Sequence, residues 1–129
     1  MKYIYLCATV LFFISCKDQA IDNTPPPSYV LKQNYPNPFT DTTWIIYGVP
    51  FAGTNATGPW VRLVIKDRFN NTEATIVDTH NHPAGDFTVI WTGRGANYQK
   101  VSAGIYYIEL QQITEGDVSV QGRQVALKQ

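Results

Sequence analysis

The sequence predicts an all-β protein, an antiparallel sandwich of about seven short strands. Three observations predict it. Apolar and polar residues alternate with period two in successive segments from Thr43 to Leu127, with no convincing 3.6-residue period. Gly, Pro, Asn and Asp break these segments at spacings of roughly 8–12 residues. Aromatic residues make up 13% of the chain and charged residues 16%, a composition that buries a core and does not stay disordered. A closed barrel is the alternative arrangement of the same strands. At 129 residues the chain is one domain of ordinary size.

The first element is an address rather than structure. Lys2 supplies a positive start, and Ile4 to Ile14 is an uncharged, mostly apolar run. As a helix it rises roughly 16 Å, about half a bilayer's hydrocarbon thickness, which suits the apolar region of a signal peptide and not a membrane span. Apolar residues, then the small Ser15, then Cys16 resemble the bacterial lipoprotein signal box, in which the Cys16 thiol is acylated. Phe13 stands where that pattern prefers Leu. Cleavage before Cys16 removes Lys2 and leaves 9 basic against 10 acidic residues. Cys7 and Cys16 are the only two cysteines, which excludes a disulfide scaffold and a four-cysteine metal site. Residues 16–28 then form a polar tether ending in Pro25, Pro26 and Pro27, which favour polyproline II over a sheet. The sandwich occupies residues 29–129.

The strands follow in order. Thr43, Ile45, Tyr47 and Val49 share one face, with Trp44 and Ile46 on the other. Residues 51–59 form a loop with two Gly and one Pro. Val61, Leu63 and Ile65 alternate with Arg62, Val64 and Lys66. The run Asp67-Arg68-Phe69-Asn70-Asn71 is a turn in which Asn70 or Asn71 tolerates a positive φ. Thr72 to Thr79 is a less regular strand around Ile76 and Val77, and His80 to Gly85 is a turn. Phe87, Val89 and Trp91 then face one way. Gly93 to Ala103 is a loop, after which Tyr106, Ile108 and Leu110 alternate with Tyr107, Glu109 and Gln111. Thr114 to Asp117 is a hairpin turn, and Val118 to Leu127 is the last strand, with Gly122 marking a bulge. Roughly 100 ordered residues bury about 60–70% of the unfolded surface, enough for an independent fold.

The run Leu31-Lys32-Gln33-Asn34-Tyr35-Pro36-Asn37-Pro38-Phe39, with Thr43, Ile45, Tyr47 and Pro50, resembles the start of the C-terminal sorting domain of type IX secretion cargo. That domain is similar to the Ig-like domain of flagellar hook-capping proteins. The resemblance continues through Val61 to Asp67, Ala84 and Gly85 to Trp91 and Gly93, then Ser102 to Tyr106 with Gly104, and closes on Val125 to Lys128. It covers residues 29–129 and implies an Ig-like antiparallel β-sandwich of about seven strands. It also implies a link to type IX secretion and a Bacteroidetes-type bacterium. Thr92 replaces the family's Asp after Trp91, and Asn70 and Tyr98 stand where it has glycines. Cargo domains ride behind a large effector domain, whereas here the signal and tether precede the sandwich.

Residue chemistry agrees. Pro36 and Pro38 cannot continue a central strand, so the motif is a rigid lead-in at one end of the sandwich. Tyr35 and Phe39 are expected to bury rings there, and the Asn37 amide to satisfy backbone groups left open by the prolines.

Other chemistry is sparse. Asp78, His80 and His82 are the metal-ligand types that cluster, and an extended backbone places them on one face. The turn at Pro83-Ala84-Gly85 instead makes both histidines solvated loop residues, so no metal and no cofactor is expected. Ser28, Ser102 and Ser119 lie in no nucleophile elbow, and no catalytic residue is assigned. Zero formal charge excludes a long-range basic field and, with it, nucleic acid as the main partner. Trp44, Trp60, Tyr98 and Tyr107 are candidates for an exposed aromatic platform that stacks on glycan. The expected function is a non-catalytic, lipid-anchored protein of the cell envelope, at the outer membrane or cell surface. Its Ig-like domain touches an envelope or secretion protein through a sheet edge, with Val118 to Leu127 as the candidate edge. The alternatives are a carbohydrate-binding lipoprotein and a metal-dependent enzyme.

Overall fold

A computed structural model describes residues 24–54 and 56–129. The expected signal peptide, Cys16 and the first part of the expected tether lie outside the described residues. The strands are β1 (Val30–Leu31), β2 (Thr43–Val49), β3 (Trp60–Lys66), β4 (Thr72–Thr79), β5 (Gly85–Trp91), β6 (Gly104–Thr114) and β7 (Asp117–Lys128). They form a three-stranded sheet in the order β1-β2-β5 and a four-stranded sheet in the order β4-β3-β6-β7. All neighbours run antiparallel. The protein is an Ig-like β-sandwich.

Alternation along each strand builds the core. Ile45, Tyr47 and Val49 from β2 meet Val61, Leu63 and Ile65 from β3 and Ile108 and Leu110 from β6, all buried in one cluster with Phe39, Trp91 and Ala126. Each such aliphatic side chain contributes about 1.5–3 kcal/mol on leaving water. Turn residues act where the sequence places them. Asn70 adopts φ 68° after β3, and Gly116 adopts φ 75° in the hairpin between β6 and β7. Tyr98 sits at φ 62° in the long loop, so the site where the resembled family has glycine keeps the backbone shape without the residue.

The bulge near Gly122 is present. Leu110 pairs with Gly122 and Gln111 with Val120, so Gln121 is the extra residue. A Cβ on Gly122 would stand 2.9 Å from Leu31 Cβ, because β1 lies across this point. The bulge keeps Val118 and Val120 on the outer face together with Arg123 and Val125.

Some features differ from the sequence reading. Tyr35 does not bury its ring; it is 77% exposed, because its bridge to Trp44 puts both on the outer face of the smaller sheet. Glu109 and Gln111 lie on the outer face of the larger sheet yet are buried. Gln111 Nε2 donates to Glu109 Oε1 at 3.1 Å, and Lys66 and Arg123 each place a cationic nitrogen 3.6 Å from the Glu109 carboxylate, so long neighbours cover it.

Candidate interaction edge

The two flanks of the sandwich are built differently. On the first, the lead-in between β1 and β2 crosses onto β7. Phe39 N–H donates to Leu127 O at 2.9 Å and Gln129 N–H donates to Phe39 O at 2.9 Å, a short parallel bridge. Asn37 Nδ2 donates to Val125 O at 3.0 Å, and Leu127 N–H donates to Asn37 Oδ1 at 2.8 Å. Gln33 Nε2 also donates to Val125 O at 2.9 Å, and Gln124 Nε2 donates to Leu31 O at 3.1 Å. Side-chain amides thus cap the outer backbone groups of the C-terminal half of β7. Val118 N–H is taken by Asp117 Oδ1 at 2.9 Å. The last strand is thus the edge of the larger sheet, as the sequence suggested, but the Asn-Tyr-Pro-Asn-Pro-Phe run occupies its C-terminal part at Val125 and Leu127.

On the opposite flank β4 and β5 are the sheet edges. β4 is irregular, for Ile76 and Glu73 are each skipped in the pairing with β3. Glu73 O accepts Ala96 N–H at 2.7 Å, so the long loop pins this edge. Bulges and pinning are ordinary protection of an edge strand. β5 has neither device. It pairs with β2 through seven consecutive residues without a register shift. Among the described residues, no further backbone hydrogen bond reaches Asp86, Thr88 or Ile90.

The surroundings of β5 are apolar and aromatic. Tyr35, Trp44 and Ile90 are 77%, 52% and 43% exposed, and Trp44 is the register partner of both others. Between β4 and β5 runs a groove of about 360 Å³ lined by Ile76, Ile90, Trp91, Arg94, Ala96 and Tyr98. The four aromatic residues proposed as one platform are divided. Trp44 lies on the outer face of the smaller sheet, and Tyr98 beside the groove. Trp60 and Tyr107 lie on the outer face of the larger sheet, and both are engaged. The Trp60 ring stacks on His80 at 4.1 Å and its Nε1 donates to Asp78 Oδ1 at 2.6 Å. The Arg123 guanidinium covers Tyr107 at 3.9 Å.

Comparison with known proteins agrees with this architecture. A solved structure of FlgD from P. aeruginosa has a TM-score of 0.51 against the chain at 16% identity, covering 84% of this chain and 76% of that chain. The fold is FlgD-like. No family model and no curated protein matches the chain. At that identity the likeness shows the fold alone.

Within this FlgD-like sandwich the motif residues gather at one end. Phe39 packs on Trp91 with ring centroids 5.2 Å apart, and Trp91 meets Tyr106 edge-on at 5.4 Å. Trp91 Nε1 donates to Arg94 O at 2.9 Å and the Tyr106 hydroxyl to Ser102 O at 2.7 Å, so both rings bury with their polar atoms satisfied. Burial holds the Tyr106 hydroxyl above its ordinary pKa, with the nearby Glu73 carboxylate adding to the effect. Gly93 has φ 67°, and a Cβ there would stand 2.9 Å from Lys128 Cε. Gly104 opens β6 at φ 156°.

The buried amide under the prolines is Asn34, not Asn37. Asn34 Nδ2 donates to Thr43 Oγ1 at 2.9 Å, Thr43 Oγ1 donates to Pro36 O at 2.9 Å, and Asn34 Oδ1 accepts from Gln33 Nε2 at 2.7 Å. Pro36 and Pro38 both follow cis peptide bonds.

The histidine cluster separates. Asp78 faces Trp60 and Arg62, His80 lies on Trp60, and His82 turns inward. Among the described residues no three His, Cys, Asp or Glu side chains converge on a common point. His82 is a core residue, 4% exposed, and not a solvated loop residue. Its Nδ1 lies 2.7 Å from Pro83 O, which only accepts, so Nδ1 carries the proton and Nε2 accepts the Tyr47 hydroxyl at 2.9 Å. Burial raises the Tyr47 pKa above that of a free phenol. No sequence signal distinguished His82 from His80, since both stand in one turn and only the packed Tyr47 and Phe87 rings decide which is enclosed.

Proposed function

We propose that this chain is a non-catalytic, lipid-anchored protein of the cell envelope whose Ig-like domain binds another envelope protein, in association with type IX secretion. The observation that carries the reading is the contrast of flanks: side-chain amides cap the C-terminal part of β7 at Val125 and Leu127, while β5 keeps a regular edge, uncovered among the described residues, beside exposed Tyr35, Trp44 and Ile90. Monomeric proteins ordinarily cover or distort such an edge, so an open one marks a contact surface. The anchor reading rests on Ser15-Cys16 following the apolar run, and the secretion reading on the resemblance of residues 29–129 to sorting domains.

Metabolic labelling with a fatty-acid analogue tests the anchor. Wild type is expected to incorporate label and Cys16→Ala to lose it; equal labelling, or none in either, removes the membrane from the reading. The domain's role is tested by deleting residues 29–129 behind the intact signal and following type IX cargo at the cell surface; unchanged cargo ends the secretion association.

A second reading, glycan binding at the outer membrane, is favoured by the exposure of Trp44 and Tyr98. It expects glycan-array binding to fall in Trp44→Ala and Tyr98→Ala. Trp60→Ala serves as a comparison, because that ring is already stacked on His80.

A further inference from the structure

We propose that β5 receives an extended polypeptide segment of a partner protein, added antiparallel as a new edge strand along Asp86, Thr88 and Ile90. This rests on the protein-binding reading above and names its ligand.

Backbone direction argues for it. Tyr35 N–H donates to Trp44 O at 3.0 Å, Trp44 N–H donates to Tyr35 O at 2.7 Å, and Lys32 N–H donates to Ile46 O at 3.0 Å. Trp44 and Ile46 therefore turn their peptide groups toward β1. By alternation Ile45 and Tyr47 turn theirs toward β5, where their register partners are Val89 and Phe87. Asp86, Thr88 and Ile90 must then direct both N–H and C=O away from the sheet. The result is a row of donors and acceptors repeating every ~7 Å, two residues of strand. An extended peptide has that repeat. A glycan stacked on an aromatic ring does not use it.

Side chains set the sequence of the segment. On one face its residues enter the groove of Ile76, Ala96 and Tyr98, beside Thr75, Thr92 and Arg94, which takes small apolar side chains such as Val. On the other they lie beside exposed Thr88, level with the Trp44–Ile90 row. Asp86 stands at one end of the edge and Arg94 at the other. An antiparallel segment meets Arg94 with its N-terminal end and Asp86 with its C-terminal end, so it is acidic first and basic last. This is complementary charge that fixes direction.

The probe is a capped synthetic peptide, Glu-Thr-Val-Thr-Val-Thr-Val-Lys, added to the full chain and followed by amide hydrogen exchange and chemical-shift mapping. Protection of the Asp86, Thr88 and Ile90 amides by about tenfold or more supports the proposal. Exchanging the terminal Glu and Lys is expected to weaken binding about threefold or more. Thr88→Pro removes an outward N–H while leaving the β2–β5 ladder its donors, so binding should fall about tenfold with the circular dichroism spectrum unchanged. Should that variant lose the spectrum, a peptide N-methylated at alternate residues replaces it and is expected not to bind.

Four results overturn the proposal. They are unchanged binding by Thr88→Pro or by the N-methylated peptide, protection at Val118 to Gln121 instead, Trp44 perturbation without amide protection, and no protection at millimolar peptide. The last two would turn attention to a glycan on the Trp44 face or to another surface. None of these results touches the fatty-acid labelling, so failure here and failure of the anchored-protein reading remain distinguishable.

Discussion

The two flanks of this sandwich face one problem with different residues. A sheet edge exposes peptide groups that another chain can pair with. On the β1–β7 flank, Gln33, Asn37 and Gln124 deliver amide groups to exposed backbone, and Phe39 inserts a parallel bridge. On the β4–β5 flank, β4 is bulged and tied to Ala96, and β5 is left regular. A sheet edge is thus closed by side chains that reach it from outside the ladder, not by the hydrophobicity of the strand. Val125 and Leu127 are more apolar than Thr88, yet theirs is the segment that is capped.

The comparison breaks first at Phe39. Its ring is buried on Trp91 and its backbone bridges β7. Phe39→Ala is expected to cost about 3–5 kcal/mol in urea unfolding, as a large core truncation does. A loss below about 1 kcal/mol would mean that the lead-in merely lies on the sandwich and does not lock it.

Asn34 comes next. Asn34→Leu leaves the Thr43 hydroxyl without its buried donor and should cost about 1–3 kcal/mol. Tyr47→Phe takes the hydroxyl from His82 Nε2 and falls in the same range of about 1–3 kcal/mol, although Tyr47 lies at the other end of β2. If only Asn34→Leu destabilises, polar burial matters at the sealed flank alone.

Asn37→Ala removes two hydrogen bonds to β7, each worth about 1 kcal/mol. It should speed exchange of the Leu127 amide and leave Thr88 and Ile90 unchanged. Acceleration on both flanks would show that the seal supports the whole sandwich.

The smallest effect belongs to Asp67, whose carboxylate accepts N–H groups from Asn71 and Phe69 in the β3–β4 turn. The backbone bond from Asn71 contributes most to holding its pKa below the usual carboxylate value. A depressed folded pKa gives stability that is present above the unfolded pKa and lost as pH falls through the folded one. Asp67→Asn should therefore lower the melting temperature slightly at neutral pH and converge with wild type in acid. A constant gap across pH would assign the effect to turn geometry instead of charge.

Much of the molecule was legible in the sequence because its signals are local. Period-two alternation in Thr43–Val49 and Trp60–Lys66 gives the inward face directly, and Gly122 announced its bulge because a residue without Cβ inside a strand needs a reason. The seven-strand sandwich follows from such signals. The misread residues depend on what comes from far along the chain. Tyr35 and Phe39 are equivalent in pattern, four residues apart in one motif. One is exposed and one buried, because β2 and β7 arrive on different sides of the lead-in. His80 and His82 divide in the same way between Trp60 and Tyr47.

By itself, then, the sequence determined the strand periods, the turns and a lead-in that cannot join a sheet as a central strand, since each rests on backbone geometry within a few residues. Only the tertiary structure decided which edge is covered. Asn37 and Leu127 lie 90 residues apart, and the bond between them exists only once both sheets have closed over one core.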